Sequence, residues 1–358
     1  MILLNKPVAP NLQRLNNYLE RVHDTGWYTN FGPLHNELTE KLEEYLNVNN
    51  LLLVSNGTLA IQLAAKVLNV KQTITTPFSF VATSSSLLWQ GIDLAYSDIE
   101  RTSLNICPEE LEKNWKSNDS YDSLLATHVY GNPCDVQRID EIAKKYNKNI
   151  MYDAAHAFGV KVGNKSVLSF GDASTLSFHA TKVFHTVEGG AVIFKDRNHF
   201  DEAKSLINFG IQNDGALGTP GINAKLNEYQ AAVGLCLLES IDDIIYHRSN
   251  LFEIYRRELS DVIELPLWHR DANYNGAYMP ILPSTEVERL KIGEQLKVNN
   301  IQFRRYFYPS LDKAYSELKS FNCPISNYIA ENALCLPLHM YMTEEDVLKI
   351  TATIKEIY

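Results

Sequence analysis

The sequence predicts an α/β protein: a large domain with a mostly parallel central sheet sandwiched by helices, followed by a smaller α+β C-terminal domain. Three observations carry this. From residue 51, short apolar runs alternate with helical patterns, the signature of strand–helix–strand units and hence of a parallel sheet. The alternation fades after about residue 235. The chain has 358 residues, more than one small core accommodates. The expected division is therefore a large domain over 1–235 and a small one over 236–358. No linker-like or low-complexity stretch separates them, so the two should pack together.

The elements follow in order. Leu12, Leu15, Leu19 and Val22 form one stripe, predicting a helix over about 11–24 that Gly26 ends. Pro33 suits a first helical turn and opens a second helix with Leu34, Leu38, Leu42 and Tyr45 on its buried face. The aromatic-rich link between them, Gly26 to Gly32, reads as a packed turn or a binding loop. Leu51 to Val54 is a strand that stops at Ser55-Asn56-Gly57-Thr58, where a helix begins. Next come Thr73 to Thr76 (strand), Phe80 to Gln90 (helix), Leu94 to Asp98 (strand), a helix opened by Pro108, and Leu124 to Val129 (strand). Asp135 caps a helix carrying Val136, Ile139, Ile142 and Tyr146. Asn149 to Tyr152, Thr175 to Phe178 and Ala191 to Phe194 are strand-like, and an interrupted amphipathic helix spans Glu228 to Arg257. Ligands of such open sheets sit beyond the carboxyl ends of the strands.

Composition narrows the function classes. A net charge of −10 argues against nucleic-acid binding, which leaves a basic footprint. The five cysteines form no C-x-x-C pair, so neither structural zinc nor a disulfide framework is expected, and a reducing cytoplasm is. His179 and His185 lack a metal-ligand spacing, so no metal is expected. The N-terminus has no basic segment followed by a long apolar run, and no stretch of about 18 apolar residues occurs. Neither a signal peptide nor a membrane helix is expected. Nucleophile-elbow and dinucleotide fingerprints are missing too.

Three segments can carry chemistry. Ser55-Asn56-Gly57-Thr58 joins a strand to a helix, whose free N–H groups and dipole favour an anion. In isolation it is more often a plain helix cap. Asp153 ends an apolar strand, where a carboxylate faces the ligand crevice and can serve a metal, a ribose or a protonated heterocycle, or simply cap a helix. The run Ser177-Phe-His-Ala-Thr-Lys182 leads toward a Gly189-Gly190 turn. A loop lysine is usually surface decoration, but in a dry crevice its amine loses its proton and can attack a carbonyl.

Taken together, ordered markers spread over nearly the whole chain resemble the sugar-aminotransferase family named for DegT, DnrJ, EryC and StrS, which has the fold-type I architecture of pyridoxal-phosphate (PLP) enzymes. These are Trp27 to Pro33, Ser55 to Thr58, Thr76 to Thr83, His128 to Pro133, Asp153 to His156, Ser177 to Lys182, Glu188 to Ala191, Gly221 to Asn223, Tyr306 to Pro309 and Leu336 to Leu338. The resemblance implies that Lys182 is the catalytic Schiff-base lysine of PLP. It implies that Asp153 pairs with the pyridine nitrogen, His156 contacts the ring hydroxyl and Phe80 stacks on the ring. Gly57, Thr58 and Ser177 would hold the phosphate, with Asn223 reaching it from a second subunit of a homodimer that shares its sites. Glu188 and Tyr308 would lie on the substrate side. Lys225 stands where relatives more often carry Arg, and Asn227 where Ser is usual.

The run Phe178-His-Ala-Thr-Lys-Val-Phe-His-Thr-Val-Glu-Gly-Gly190 is similar to the branch aminating carbon 4 of nucleotide-linked keto sugars. That implies transfer from L-glutamate to dTDP-4-keto-6-deoxy-D-glucose, giving dTDP-4-amino-4,6-dideoxy-D-glucose, a precursor of O-antigen lipopolysaccharide or other surface glycans. Alternatives are a UDP- or GDP-linked sugar, a PLP-dependent sugar dehydratase of the same family, and a non-catalytic binding protein. The dehydratases carry His at the lysine position, so Lys182 argues against that reading.

Overall fold

The computed structural model describes residues 1–212 and 214–358. Two helices come first, α1 (Leu12–Thr25) and α2 (Pro33–Leu46). Then follow β1 (Leu51–Val54), α3 (Gly57–Val67), β2 (Gln72–Thr75), α4 (Val81–Leu88), β3 (Asp93–Tyr96), α5 (Pro108–Ser117), β4 (Ser123–Thr127), α6 (Val136–Tyr146) and β5 (Asn149–Asp153). A small hairpin, β6 (Lys161–Val162) and β7 (Lys165–Ser166), precedes β8 (Ala173–Ser177) and β9 (Gly190–Phe194). Helices α7 (Arg197–Leu206), α8 (Glu228–Leu238) and α9 (Ile241–Leu259) lead into β10 (Met279–Ile281), α10 (Glu286–Val298), α11 (Leu311–Ala314), β11 (Lys319–Ser320), α12 (Pro324–Asn332), β12 (Leu334–Leu336) and α13 (Glu344–Lys355).

The main sheet has the order β1-β9-β8-β5-β4-β2-β3-β11. Only β9 runs against its neighbours; every other pairing is parallel. The carboxyl ends of β1, β8, β5, β4 and β2 therefore share one edge, and β9 starts there. Strand residues alternate between two apolar layers. Leu51, Leu53, Leu124, Ala126, Ile150 and Tyr152 pack on one face, and Leu52, Val54, Leu125 and Met151 on the other. Burial on both faces is why these strands are continuous apolar runs rather than alternating ones.

A third core gathers β10, α10, α12, β12 and α13. Helix α9 links it to the sheet: Ile241 and Ile244 belong to the first layer, Leu251 and Phe252 to the third core. Phe78, Val129 and Tyr130 of the sheet region also join that third core. Buried Asp98 fastens the junction. Its carboxylate accepts from Ile325 N (2.9 Å), Ser326 N (2.8 Å) and Ser326 Oγ (2.6 Å), which places an anion at the positive end of α12.

Some boundaries differ from the sequence expectation for local reasons. The strand predicted to reach Val129 stops at Thr127, because residues 129–131 form a single tight turn with Tyr130 at φ 59°. Phe80 is not helical; it is the extended N-cap residue of α4, and its ring is 53% exposed. The interrupted helix expected over 228–257 has its break at residues 239–240, and its second part runs on to Leu259. Asn227 caps α8 through a reciprocal pair with Gln230, a role that Asn fills as well as Ser. In the aromatic turn before α2, Trp27 and Tyr28 are half-exposed, Trp27 Nε1 donates to Asn30 O at 2.9 Å, and Tyr28 stacks on Tyr229.

Helix α2 begins with Gly32 and Pro33, neither of which caps it with a side chain. Fully buried Glu228 of α8 does so instead, accepting from Leu34 N (2.9 Å) and His35 N (2.7 Å). A Cβ on Gly32 would fall 2.6 Å from the Glu228 carboxyl carbon, so the glycine makes room for this cap. Glu228→Ala should destabilise the protein by roughly 3 kcal/mol, read as a lower urea midpoint with the slope unchanged, and Glu228→Gln should lose less.

Candidate functional site

The shared strand-end edge opens into a cavity of about 350 Å³. Gly57 and Thr58 reach it from the end of β1, Phe80 from the β2–α4 connection, Asp153 and His156 from β5, and Ser177 and Lys182 from β8. Tyr278, Tyr306 and Phe307 close it from the C-terminal part. A cavity of about 440 Å³ beside α3 contains Lys66 and Lys71 but no acid or nucleophile partnering them. The smaller cavity is therefore the candidate site.

Asp153 is buried at the last position of β5. Its Oδ2 accepts from Thr83 Oγ1 at 2.8 Å and its Oδ1 from Ala155 N at 3.1 Å. Burial pushes the carboxyl above its usual range, while Thr83, the Ala155 amide and the charge of Lys182 pull against it. Lys182 feels the converse. Loss of water lowers its ammonium to about 8, with the Asp153 carboxylate opposing. A useful fraction of neutral, nucleophilic amine therefore exists near neutral pH. Burial, and to a lesser degree the Lys182 charge, hold His156 well below the ordinary histidine value, so its ring is neutral. Its Nδ1 is buried without a protein partner. The ring packs edge-on to Tyr278 (4.7 Å) and parallel to Phe307 (5.9 Å), and Asn275 Nδ2 clamps the carbonyls of His156 (2.8 Å) and Phe158 (3.0 Å).

The other end of the cavity is built for an anion. Asn56 caps α3 by accepting from Leu59 N (2.9 Å), and its carbonyl takes Ala60 N (3.2 Å). Among the described residues, the N–H groups of Gly57 and Thr58 have no protein acceptor, at the positive end of a helix. The hydroxyls of Thr58 and Ser177 border the same space. Crowding dictates the glycines here. A Cβ on Gly57 would lie 2.9 Å from Ser177 Cβ, and one on Gly190 would lie 2.7 Å from the Asn56 carbonyl carbon. Gly190 is the register partner of both Val54 and Ser177, so β9 can start between β1 and β8 only without a side chain there. One cavity thus brings together a helix-start anion cradle, a buried carboxylate and an amine of lowered basicity.

Comparison with known proteins agrees with this geometry. The sequence pattern of the DegT/DnrJ/EryC1/StrS aminotransferase family matches residues 12–355. The chain belongs to this family. A dTDP-4-amino-4,6-dideoxy-D-glucose transaminase of Shigella dysenteriae is 39% identical over 99% of both chains. One of the same name from Escherichia coli is 37% identical over 98% of this chain and 97% of its own. The crystal structure of DesI with its TDP-sugar product superposes with a TM-score of 0.92 at 27% identity, covering 99% of this chain and 92% of that one.

In this aminotransferase the structure gathers most of the residues the sequence singled out. Gly57, Thr58, Phe80, Asp153, His156, Ser177, Lys182 and Glu188 all line one cavity. Glu188 Oε1 lies 3.6 Å from His179 Nε2 at its rim. Tyr308 does not join them: it is half-exposed outside the lining, with the Arg305 guanidinium 3.3 Å from its ring centre, and its neighbours Tyr306 and Phe307 face the cavity instead. Asn223 is an exposed residue outside the lining within the single chain. Lys225 bonds Asn208 Oδ1 at 2.8 Å. Sequence reasoning missed Ser79, Thr83, Thr127 and Tyr278, since a hydroxyl in an apolar stretch carries no sign of its direction.

The charge balance can be read without any ligand. Acylation of Lys182, followed by peptide mass spectrometry across pH, should rise through about pH 8, well before the surface lysines react. In Asp153→Asn the midpoint should fall further, because the opposing carboxylate is gone; an unchanged or higher midpoint would contradict the coupling.

Proposed function

We propose that this aminotransferase uses pyridoxal phosphate to move the amino group of L-glutamate to carbon 4 of dTDP-4-keto-6-deoxy-D-glucose, giving dTDP-4-amino-4,6-dideoxy-D-glucose. The observation that carries the reaction type is a cavity in which a lysine amine and a buried carboxylate act on one another, next to a helix-start anion cradle. The two relatives at 39% and 37% identity support the choice of sugar and nucleotide. The product then feeds a surface glycan such as O-antigen lipopolysaccharide.

When bound, the cofactor supplies an electron sink for the carbon that loses its proton. The chain's residues do the rest. Gly57, Thr58 and Ser177 hold the phosphate with two N–H groups and two hydroxyls. Asp153, whose ionised form Thr83 and the Ala155 amide favour against burial, would accept from the ring N–H and favour its protonated form. His156 reaches the ring hydroxyl, which would satisfy its unpartnered nitrogen. Phe80 covers a ring face. Lys182 would hold the cofactor, and its amine is the group placed to take and return a proton at the substrate carbon. Tyr278, Tyr306 and Phe307 exclude water. Glu188, at the cavity rim, would stand on the sugar side.

A homodimer fits the surface around Asn223. Phe209 (51%), Leu217 (80%) and Ile222 (45%) are exposed beside it, an apolar area that a second copy would cover while bringing Asn223 to the partner's phosphate. All five cysteines are free, which supports a cytoplasmic location. Among the described residues no helix is long and apolar enough to cross a membrane.

The protein mixed with PLP should turn yellow, and borohydride should fix a label on the Lys182 peptide. Lys182→Ala should take no label and lose about 10²–10⁴-fold in kcat. With glutamate and a panel of dTDP-, UDP- and GDP-linked 4-keto sugars, mass spectrometry should find the amine with the dTDP sugar. Turnover confined to another nucleotide would correct the substrate, and no amine from any sugar would reject the assignment.

A further inference from the structure

The buried carboxylate of Asp153 is the end of a longer arrangement. Thr83 Oγ1 lies 2.8 Å from Asp153 Oδ2, Ser79 Oγ lies 2.7 Å from Thr83 Oγ1, and Ser79 Oγ lies 2.9 Å from Thr127 Oγ1. All three hydroxyl residues are at most 2% exposed. They come from separate parts of the sheet edge: Thr127 ends β4 and is the register partner of Asp153, Ser79 sits in the β2–α4 connection, and Thr83 lies in the first turn of α4.

Counting hydrogens settles the direction of the chain. Each hydroxyl has one proton to donate. An ionised carboxylate only accepts, so Thr83 donates to Asp153. Its oxygen can then take part in the 2.7 Å contact only as acceptor, so Ser79 donates to Thr83. The Ser79 proton is now used, so Thr127 donates to Ser79. Only this arrangement makes all three short contacts hydrogen bonds. Every O–H dipole points at the carboxylate, and in a dry site each bond polarises the next.

We infer that Thr127, Ser79 and Thr83 form a one-way hydroxyl relay whose task is to keep Asp153 ionised in a water-poor site, making them positioning residues for the cofactor's ring nitrogen. This deepens the functional reading above and rests on it for its link to the cofactor. A carboxylate held out of water is pushed toward its neutral form, and a neutral Asp153 could no longer keep a ring nitrogen protonated. The relay opposes that loss without adding a net positive charge, which would repel a pyridinium. Burial raises the Asp153 carboxyl and the Thr83 bond is foremost among the influences lowering it, in line with this role. The other titratable groups around Asp153 are Lys182 from the β8–β9 connection, His156 from its own strand's connection and Tyr278 from the C-terminal part. His128 of the β4 end stacks on Tyr152. The hydroxyl substitutions leave all of these in place.

The test reads the carboxyl itself, in the full-length protein without cofactor. With aspartate labelled at the side-chain carboxyl carbon, and Asp153→Asn identifying the signal, carbon-13 resonance is followed against pH. Thr83→Val keeps the shape and removes the hydroxyl; the Asp153 midpoint should move upward by about one unit or more. Ser79→Ala and Thr127→Val should move it upward by successively smaller steps, and Thr83→Ser should restore it. If Thr83→Val does not fold, Ser79→Ala carries the same test. An unmoved midpoint in a folded Thr83→Val or Ser79→Ala protein, or a downward one, overturns the relay. In parallel, the PLP dissociation constant of Thr83→Val should weaken by about tenfold where its carboxyl is protonated and the wild type's is not. A wild-type protein that takes up no PLP would defeat the functional reading, while the carboxyl titration would still judge the relay.

Discussion

Two opposite charges, a buried carboxylate and a half-buried ammonium, set the terms for everything around them at one end of the sheet. Burial works against the Asp153 carboxylate and against the Lys182 ammonium alike, and each is partly rescued by the other's field. Such a pair is held only by a scaffold that supplies both the dry setting and compensating donors. Here parallel strands supply both, because their carboxyl ends place Asp153, Ser177 and Thr127 in one row while the segments beyond, loops or a helix start, carry Lys182, Ser79 and Gly57. The neutral His156 and the aromatic wall of Tyr278 and Phe307 complete the water-poor surroundings.

Much of this was legible in the residues. Leu51 to Val54, Leu124 to Ala126 and Ile150 to Tyr152 announce doubly buried strands because no polar residue interrupts them. Asp153 was visible as an acid ending such a strand. The ordered family markers added the cofactor roles, which residue patterns alone left open. What escaped depends on relations between distant segments. Nothing near Gly32 signals that the acid capping α2 is Glu228, nearly two hundred residues on. Asp98 likewise has its partners at Ile325 and Ser326. The hydroxyls of Ser79, Thr83 and Thr127 look alike in sequence, and only their spatial row reveals one acceptor at its end. The same holds for residues 306–308: Tyr306 and Phe307 line the cavity and Tyr308 does not, and their order alone does not say which faces inward.

The two regular parts of the chain are less separate than the fading of the strand–helix pattern suggests. Helix α9 contributes to two cores along its length. Tyr306 and Phe307, far along the chain, wall a cavity whose charged groups are all contributed before residue 190. The site therefore exists only when both parts are folded and joined.

The short strand β11 adds a last point. It lies parallel beside β3, pairing Lys319 with Ala95 and Ser320 with Tyr96, and both its residues are exposed. Without it, the peptide groups along that flank of β3 would offer a ready template to a stray strand from another molecule. Two residues are enough to occupy part of that ladder and too short to extend it, so β3 is left with little open edge on that side.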